Sequence, residues 1–161
     1  MGRRAFHGKG AKAAPDPAPR DFPVNYLLDT NACIALIKGD PSSVRTRLRT
    51  AVAAGGKVFV SSIVAFELWY GVSKSSQPEA NRQRLRAFFA GAITLLPFDD
   101  EDAQSAGAIR AALEAHGKPI GAYDLLIAGQ ALHRKITLVT ANVAEFARVK
   151  GLTWQDWSRL S

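Results

Sequence analysis

Val24-Asn25-Tyr26-Leu27-Leu28-Asp29-Thr30-Asn31 is a short apolar run broken off by three polar residues, and helical Ala32–Lys38 follows at once. A run of this length closed by Asp, Thr and Asn reads as a buried strand, Val24–Asp29, that ends in a turn. The same alternation continues outward. Pro41 opens a helix carrying Val44, Leu48 and Val52 at helical spacing, and Gly55-Gly56 ends it. Lys57–Ser61 is a second strand, after which Ser61 and Ser62 can cap a helix over Ile63–Val72. Pro78 starts a further helix to about Ala90, and Ile93–Leu96 is the third strand. The acidic run Asp99–Asp102 begins a helix that His116-Gly117 closes. Ile120–Arg134 is helical, Ile136–Thr140 is the fourth strand, Val143–Val149 a short helix and Leu152–Trp157 a short edge element. Strands separated by helices imply parallel βαβ units in an α/β domain whose sheet is covered on both faces. In such sheets the chemistry lies beyond the carboxyl ends of the strands.

Composition narrows the classes. The 161 residues suit one domain with a core of its own, and 47% hydrophobic with 22% charged residues is ordinary for a globular protein. Cys33 is the single cysteine, which excludes an intrachain disulfide and a cysteine-built zinc site. No apolar run is long enough to span a bilayer and no secretory leader is evident, so a cytoplasmic protein is expected. The net charge of +7 is unevenly spread: Arg3, Arg4, Lys9, Lys12 and Arg20 against Asp16 put +4 in the first 20 residues and leave +3 for the rest. Residues 1–22, rich in Gly, Ala, Pro and basic side chains, read as a disordered basic arm, and residues 23–161 as the domain. A basic balance suits a polyanionic partner.

Three acids stand apart from the others. Asp29, Glu67 and Asp124 have no Lys or Arg within four positions on either side, whereas Glu79, Glu114, Glu145 and Asp156 each have a local cation. A carboxylate in apolar surroundings costs several kcal/mol unless it is compensated. Either distant cations reach these acids through the fold, or the acids converge on a bound cation. A divalent ion would remove their mutual repulsion, and all-oxygen ligation suits Mg²⁺ or Mn²⁺. Each acid also has a structural reading. Asp29-Thr30-Asn31 can be a turn and helix cap, and Asp124 can complement a helix dipole. Glu67 is hardest to treat this way, because Ile63, Val64, Phe66, Leu68, Trp69 and Tyr70 surround it on the helix. The cluster Asp99, Asp100, Glu101 and Asp102 is adequately explained as a helix start.

Four segments carry a resemblance. Leu27-Leu28-Asp29-Thr30-Asn31, Phe66-Glu67-Leu68 with Gly71, Pro119-Ile120-Gly121-Ala122-Tyr123-Asp124 with Ile127-Ala128, and Leu138-Val139-Thr140-Ala141-Asn142 with Phe146, Val149, Gly151-Leu152 and Trp157 occur in that order. Together they resemble the motifs of PIN-domain ribonucleases, in particular the VapC toxins of toxin–antitoxin pairs. The resemblance implies a three-layer α/β/α domain with a central parallel sheet, and an endoribonuclease that hydrolyses RNA with metal-activated water. It assigns Mg²⁺ or Mn²⁺ to Asp29, Glu67 and Asp124. Asn142 stands where many members have a fourth acid. Thr140 would add a hydroxyl hydrogen bond, and Thr30 and Asn31 would shape the first turn. It further implies an RNA substrate, a small VapB-like antitoxin and a homodimer.

No histidine is needed as a base: His7 lies in the arm, while His116 and His133 end helices. Arg45, Arg47 and Arg49, like Arg82, Arg84 and Arg86, point to different sides of their helices and form no single stripe. The helix Ile63–Val72 is apolar all round, so Phe66, Trp69 and Tyr70 are expected to remain for the antitoxin unless Leu85, Phe88 and Phe89 cover them. Two other classes remain in view. A non-catalytic RNA-binding PIN module would lose one of the acids, and none is lost. An aspartyl phosphatase would want an acid two positions after Asp29, where Asn31 stands. No phosphate-cradling glycine motif supports a nucleotide cofactor.

Overall fold

Among residues 23–159, which the computed structural model describes, the alternation becomes five strands and seven helices. They are β1 (Tyr26–Leu28), α1 (Thr30–Lys38), α2 (Ser42–Ala53), β2 (Val58–Ser61), α3 (Ser62–Lys74) and α4 (Pro78–Phe89), then β3 (Ile93–Leu96), α5 (Asp100–Ala115), α6 (Ala122–Arg134), β4 (Thr137–Val139), α7 (Val143–Phe146) and β5 (Trp154–Gln155). The arm expected over residues 1–22 lies outside the described residues.

Every strand pairs in parallel, in the order β3-β2-β1-β4-β5, and helices flank the sheet to give an α/β/α domain. The central strand is the most apolar: Leu27 and Leu28 are fully buried, in register with Phe59 and Val60 on one side and Leu138 and Val139 on the other. Burial on both faces accounts for runs without polar alternation. The chain builds outward from β1 through β2 to β3, then returns to the other side of β1 with β4. That reversal opens a crevice at the carboxyl ends of β1 and β4, where open α/β sheets bind ligands.

Strand and helix boundaries differ from the sequence reading by one to a few residues, and two of the differences lie near the site. The helix expected from Ile120 begins at Ala122, because extended Gly121 is its N-cap, with its carbonyl accepting from the Leu125 N–H at 2.9 Å. The helix expected to reach Val149 stops at Phe146 and continues as turns. Of the two serines read as caps, only Ser61 acts as one, and Ser62 has another task. Ser61 caps α3 by accepting from the Ile63 N–H, and Ser62 accepts from the Phe98 N–H at 3.0 Å, tying the end of β3 to α3.

The acidic run at 99–102 is structural, as read, through a reciprocal cap: Asp99 accepts from the Asp102 N–H and Asp102 from the Asp99 N–H, both at 3.0 Å. Asp102 is also fully buried against Arg134 of α6, a partner 32 residues away. Contacts of early α5 with late α6 make these helices antiparallel, and at Gly129 they pass close to one another. A Cβ there would lie 2.6 Å from both Cβ and N of Ala106. Alanine would gain about 1 kcal/mol in helix propensity. The clash is with backbone, however, which cannot swing aside, and overpacking costs about 1–3 kcal/mol or more. Gly129→Ala should therefore lower the midpoint of urea unfolding. An unchanged or raised midpoint would show that α5 and α6 separate freely.

Candidate active site

Asp29 leaves β1 at the crevice and serves as the N-cap of α1. Its Oδ1 accepts from the Ala32 N–H at 2.8 Å, so the capping reading holds. It also belongs to a charged site. The side chain is buried, and burial first, then the negative charges of Glu67 and Asp156, push its carboxyl above the ordinary value; hydrogen bonds from Thr140 and Ala32 act in the opposite direction. Thr140, buried just past β4, accepts from the Asn142 N–H at 3.0 Å, so one hydroxyl links both strand ends.

Glu67 comes from the second turn of α3 and is half-buried. The Thr30 hydroxyl donates to its Oε1 at 3.0 Å, which ties α3 to the first residue of α1. Asp124 occupies the first turn of α6, where the helix dipole favours an anion. Even so its pKa is pushed up to about 6, by burial first, then by a hydrogen bond and the charge of Glu145, and then by the charges of Asp29 and Glu67. The three acids singled out in the sequence thus share one electrostatic field.

Glu145 is the residue that sequence reasoning missed. Arg148, three positions on, looked like its local partner. In the structure Arg148 donates to the Pro119 carbonyl at 3.1 Å, and Glu145 Oε2 accepts from Asn142 Nδ2 at 3.1 Å and faces Asp124. Asn142 therefore acts by holding an acid rather than standing in for one. The available signal was position: Glu145 sits on the helix after β4, at the same sheet edge as Asp29. Asn31, by contrast, is exposed. The two histidines among the described residues are occupied elsewhere, His116 Nδ1 with the Ala112 carbonyl and His133 with Glu101.

None of the ion pairs among the described residues includes Asp29, Glu67, Asp124 or Glu145. The acids are grouped but not closed on one point: among the described residues no three Asp, Glu, His or Cys groups stand in ligating arrangement. Mutual repulsion is the physical reason carboxylates in one crevice keep apart. A hard divalent cation fits this donor set, since every candidate donor is oxygen and the charge it must offset is expressed in the raised Asp29 and Asp124 values.

A PIN domain model matches residues 26–152, from β1 to the turn before β5. This chain belongs to the PIN-domain family. It is 42% identical to the tRNA(fMet)-specific endonuclease VapC of Shigella flexneri over 135 residues, which are 84% of this chain and 99% of that one. Ribonuclease VapC2 of Rickettsia felis is 38% identical, across 83% of this chain and 98% of its own length. Among solved structures, VapBC2 from Rickettsia felis bound to a promoter DNA fragment superposes with a TM-score of 0.78 at 37% identity, covering 83% of this chain and 99% of that one. DNA-bound VapBC from Salmonella typhimurium gives 0.77 at 38%, over 83% and 98%. Among the described residues no helix is long and apolar enough to cross a membrane.

The raised Asp124 value sets a direction for pH. Its folded-state pKa of about 6 exceeds the ordinary 3.8, so protonation favours the folded chain: this contribution is present at acid pH and lost as pH rises through 6. Melting temperature should rise between pH 7 and pH 5 in metal-free buffer, and Asp124→Asn should flatten that rise. An equal slope in the variant would show that Asp124 is not strained by its neighbours.

Proposed function

We propose that this PIN-domain chain is a Mg²⁺- or Mn²⁺-dependent endoribonuclease, the toxin of a VapBC-type toxin–antitoxin pair, which hydrolyses RNA phosphodiesters at the crevice between β1 and β4. The observation that carries the reading is the convergence of Asp29, Glu67, Asp124 and Glu145 at one sheet edge with no cation paired to them. Asp29, Glu67 and Asp124 would hold the metal, with Glu145 beside them. When bound, such an ion neutralises phosphate charge and lowers the pKa of water towards neutrality. The chain's own part is positioning. The Thr30 hydroxyl fixes Glu67, Thr140 and the Ala32 N–H fix Asp29, and Asn142 fixes Glu145. The pKa of about 6 belongs to Asp124 in the metal-free site, so proton and metal would compete for this carboxylate near neutrality.

The test is RNA cleavage by purified protein with Mg²⁺, with Mn²⁺, with chelator, and with the metal restored. Cleavage should stop in chelator, return on metal addition and leave 5′-phosphate ends. Full activity in chelator would defeat the metal assignment.

The names of the relatives and the structures that contain VapB support an antitoxin for this chain. A groove of about 280 Å³ between α1, α3 and α4 is floored by Ile34, Ile37, Leu68, Val72 and Leu85, with Thr30 and Glu67 at its end. An amphipathic antitoxin helix laid there would cover the route to Glu67. Ile37→Glu should abolish co-purification of the antitoxin while the free variant still cuts RNA. Retained co-purification would move the partner elsewhere.

A further inference from the structure

Phe66 immediately precedes Glu67 and Tyr123 immediately precedes Asp124, so each of the two helix-borne acids of the proposed metal set has an aromatic neighbour one step back on its helix. Neither ring is taken into the core. Phe66 is 54% and Tyr123 47% exposed, and the two rings meet across α3 and α6 with centroids 5.8 Å apart, tilted by 52°. Tyr70, one turn after Phe66, is 59% exposed, and Lys74 one turn further places its ammonium 5.2 Å from the Tyr70 ring. Residues 66, 70 and 74 lie at four-residue spacing along one stripe of α3. Trp69 is different, because it stacks on Phe89 of α4 with centroids 6.4 Å apart and so is partly covered within the chain, at 36% exposed.

Scattered exposed apolar side chains need no explanation, but three rings contiguous with a carboxylate cluster do. A divalent ion held by the acids would attract only the phosphate it meets, and of the side chains on this stripe only Lys74 attracts another. The nucleotides flanking that phosphate must gain affinity mainly from something other than charge. Base stacking on aromatic faces supplies that, and it tolerates any base because every base has a π-face.

We propose that Phe66 and Tyr123 form a stacking platform for the base flanking the scissile phosphodiester, and that Tyr70 with Lys74 carries the next nucleotide. The platform rests on the endoribonuclease reading above. Its occupant is single-stranded RNA, because the rings adjoin the acids on one side and a cation on the other.

The experiment is fluorescence anisotropy of labelled oligoadenylate and oligouridylate of about ten nucleotides, with Mg²⁺, in full-length protein carrying Asp29→Asn to prevent cutting. Phe66→Ala and Tyr70→Ala should each weaken binding about ten-fold, and Phe66→Trp should restore it. Purines stack better than pyrimidines, so a preference for oligoadenylate should shrink in the alanine variants. The rings carry no charge, so these variants should leave the salt dependence of binding unchanged, whereas Lys74→Ala should make it shallower. Unchanged affinity in Phe66→Ala and Tyr70→Ala overturns the proposal. It is also overturned if their loss of binding follows a fall in mass by light scattering, since the rings would then seat a second copy of this chain. In the otherwise wild-type protein the same alanine changes should raise KM for RNA more than they lower kcat. Normal KM with normal cutting removes the platform and leaves the nuclease intact. Oligonucleotide binding that depends on the rings, in a protein that cuts no RNA, keeps the platform and removes the nuclease.

Discussion

Asp29→Asn, Glu67→Gln and Asp124→Asn should each reduce RNA hydrolysis by roughly a hundred-fold or more, beyond the ten- to hundred-fold loss that follows when a group only orients a ligand. The argument starts from charge. Each change keeps the shape of the side chain and removes one negative charge from a site where the acids already raise one another's pKa values. The folded state should not suffer. An Asn at position 29 keeps an oxygen to accept from the Ala32 N–H, and removing a buried charge relieves desolvation. Melting temperature at neutral pH in metal-free buffer should therefore be equal to or above that of the parent in the Asp29 and Asp124 variants, and addition of Mg²⁺ should raise it less than in the parent. Thr140→Val and Asn142→Ala test the orienting groups and should lose only about ten- to hundred-fold. Steady-state cleavage with matched melting curves separates the two classes. Parental activity in any one of the three carboxylate variants would sink the proposed metal set.

Glu145→Gln belongs with these measurements because the sequence gives a misleading picture of that residue. Pairing Glu145 with Arg148 rested on proximity along a helix, a contact worth a few tenths of a kcal/mol at an exposed surface. The i,i+3 turn is in place, with the Arg148 N–H donating to the Glu145 carbonyl at 3.1 Å, but the Arg148 side chain turns to the Pro119 carbonyl instead. Local charge counting works at Arg110–Glu114 and at Asp156–Arg159, and fails at Glu145 because a distant carbonyl takes the cation.

The same distinction governs what was legible elsewhere. The parallel sheet could be read because β1, β2 and β4 are apolar on both faces, and the acids because Asp29, Glu67 and Asp124 lack neighbours of opposite charge, a property of sequence alone. What α3 does with its surplus of apolar residues could not be read. Val64, Leu68 and Val72 are buried, Trp69 goes to Phe89, and Phe66 turns to Tyr123 on α6, a choice set by packing across 57 positions of sequence. Asp102 was hidden for the same reason. Its cap is local and was foreseen, but its cation is supplied by another helix.

That hidden pair carries a large expected effect on stability: Arg134→Ala should cost about 1.5–3 kcal/mol, less than for a fully buried pair because the Arg134 side chain is itself 31% exposed. The Asp102 side chain is 0% exposed, and Arg134 reaches it with Nε to Oδ1 at 3.0 Å and a terminal nitrogen to Oδ2 at 3.1 Å, while also pairing with Asp99 at 2.9 Å. Without Arg134 the carboxylate keeps only the Gln130 amide at 3.3 Å and the Asp99 N–H. The sign of the pH dependence follows. Burial alone would raise the Asp102 pKa, but the bonds and charge of Arg134, with the Asp99 N–H, hold it below 3.8. A depressed carboxyl contributes stability above its unfolded-state value and loses it as pH falls through the folded-state value. The parent should therefore lose stability below about pH 4, and Arg134→Ala should lack that loss because it has already forfeited the contribution. The Asp102→Asn, Arg134→Met double variant removes both charges together and should recover part of the difference, since the cost lies in the unpaired buried ion more than in the missing attraction. RNA cleavage by the folded fraction should be unchanged in both variants, because neither residue touches the acids at the carboxyl ends of β1 and β4. Denaturant unfolding across pH 3–7 checks every part of this, and an Arg134→Ala loss under about 1 kcal/mol would show that Gln130 and the cap suffice to hold the charge.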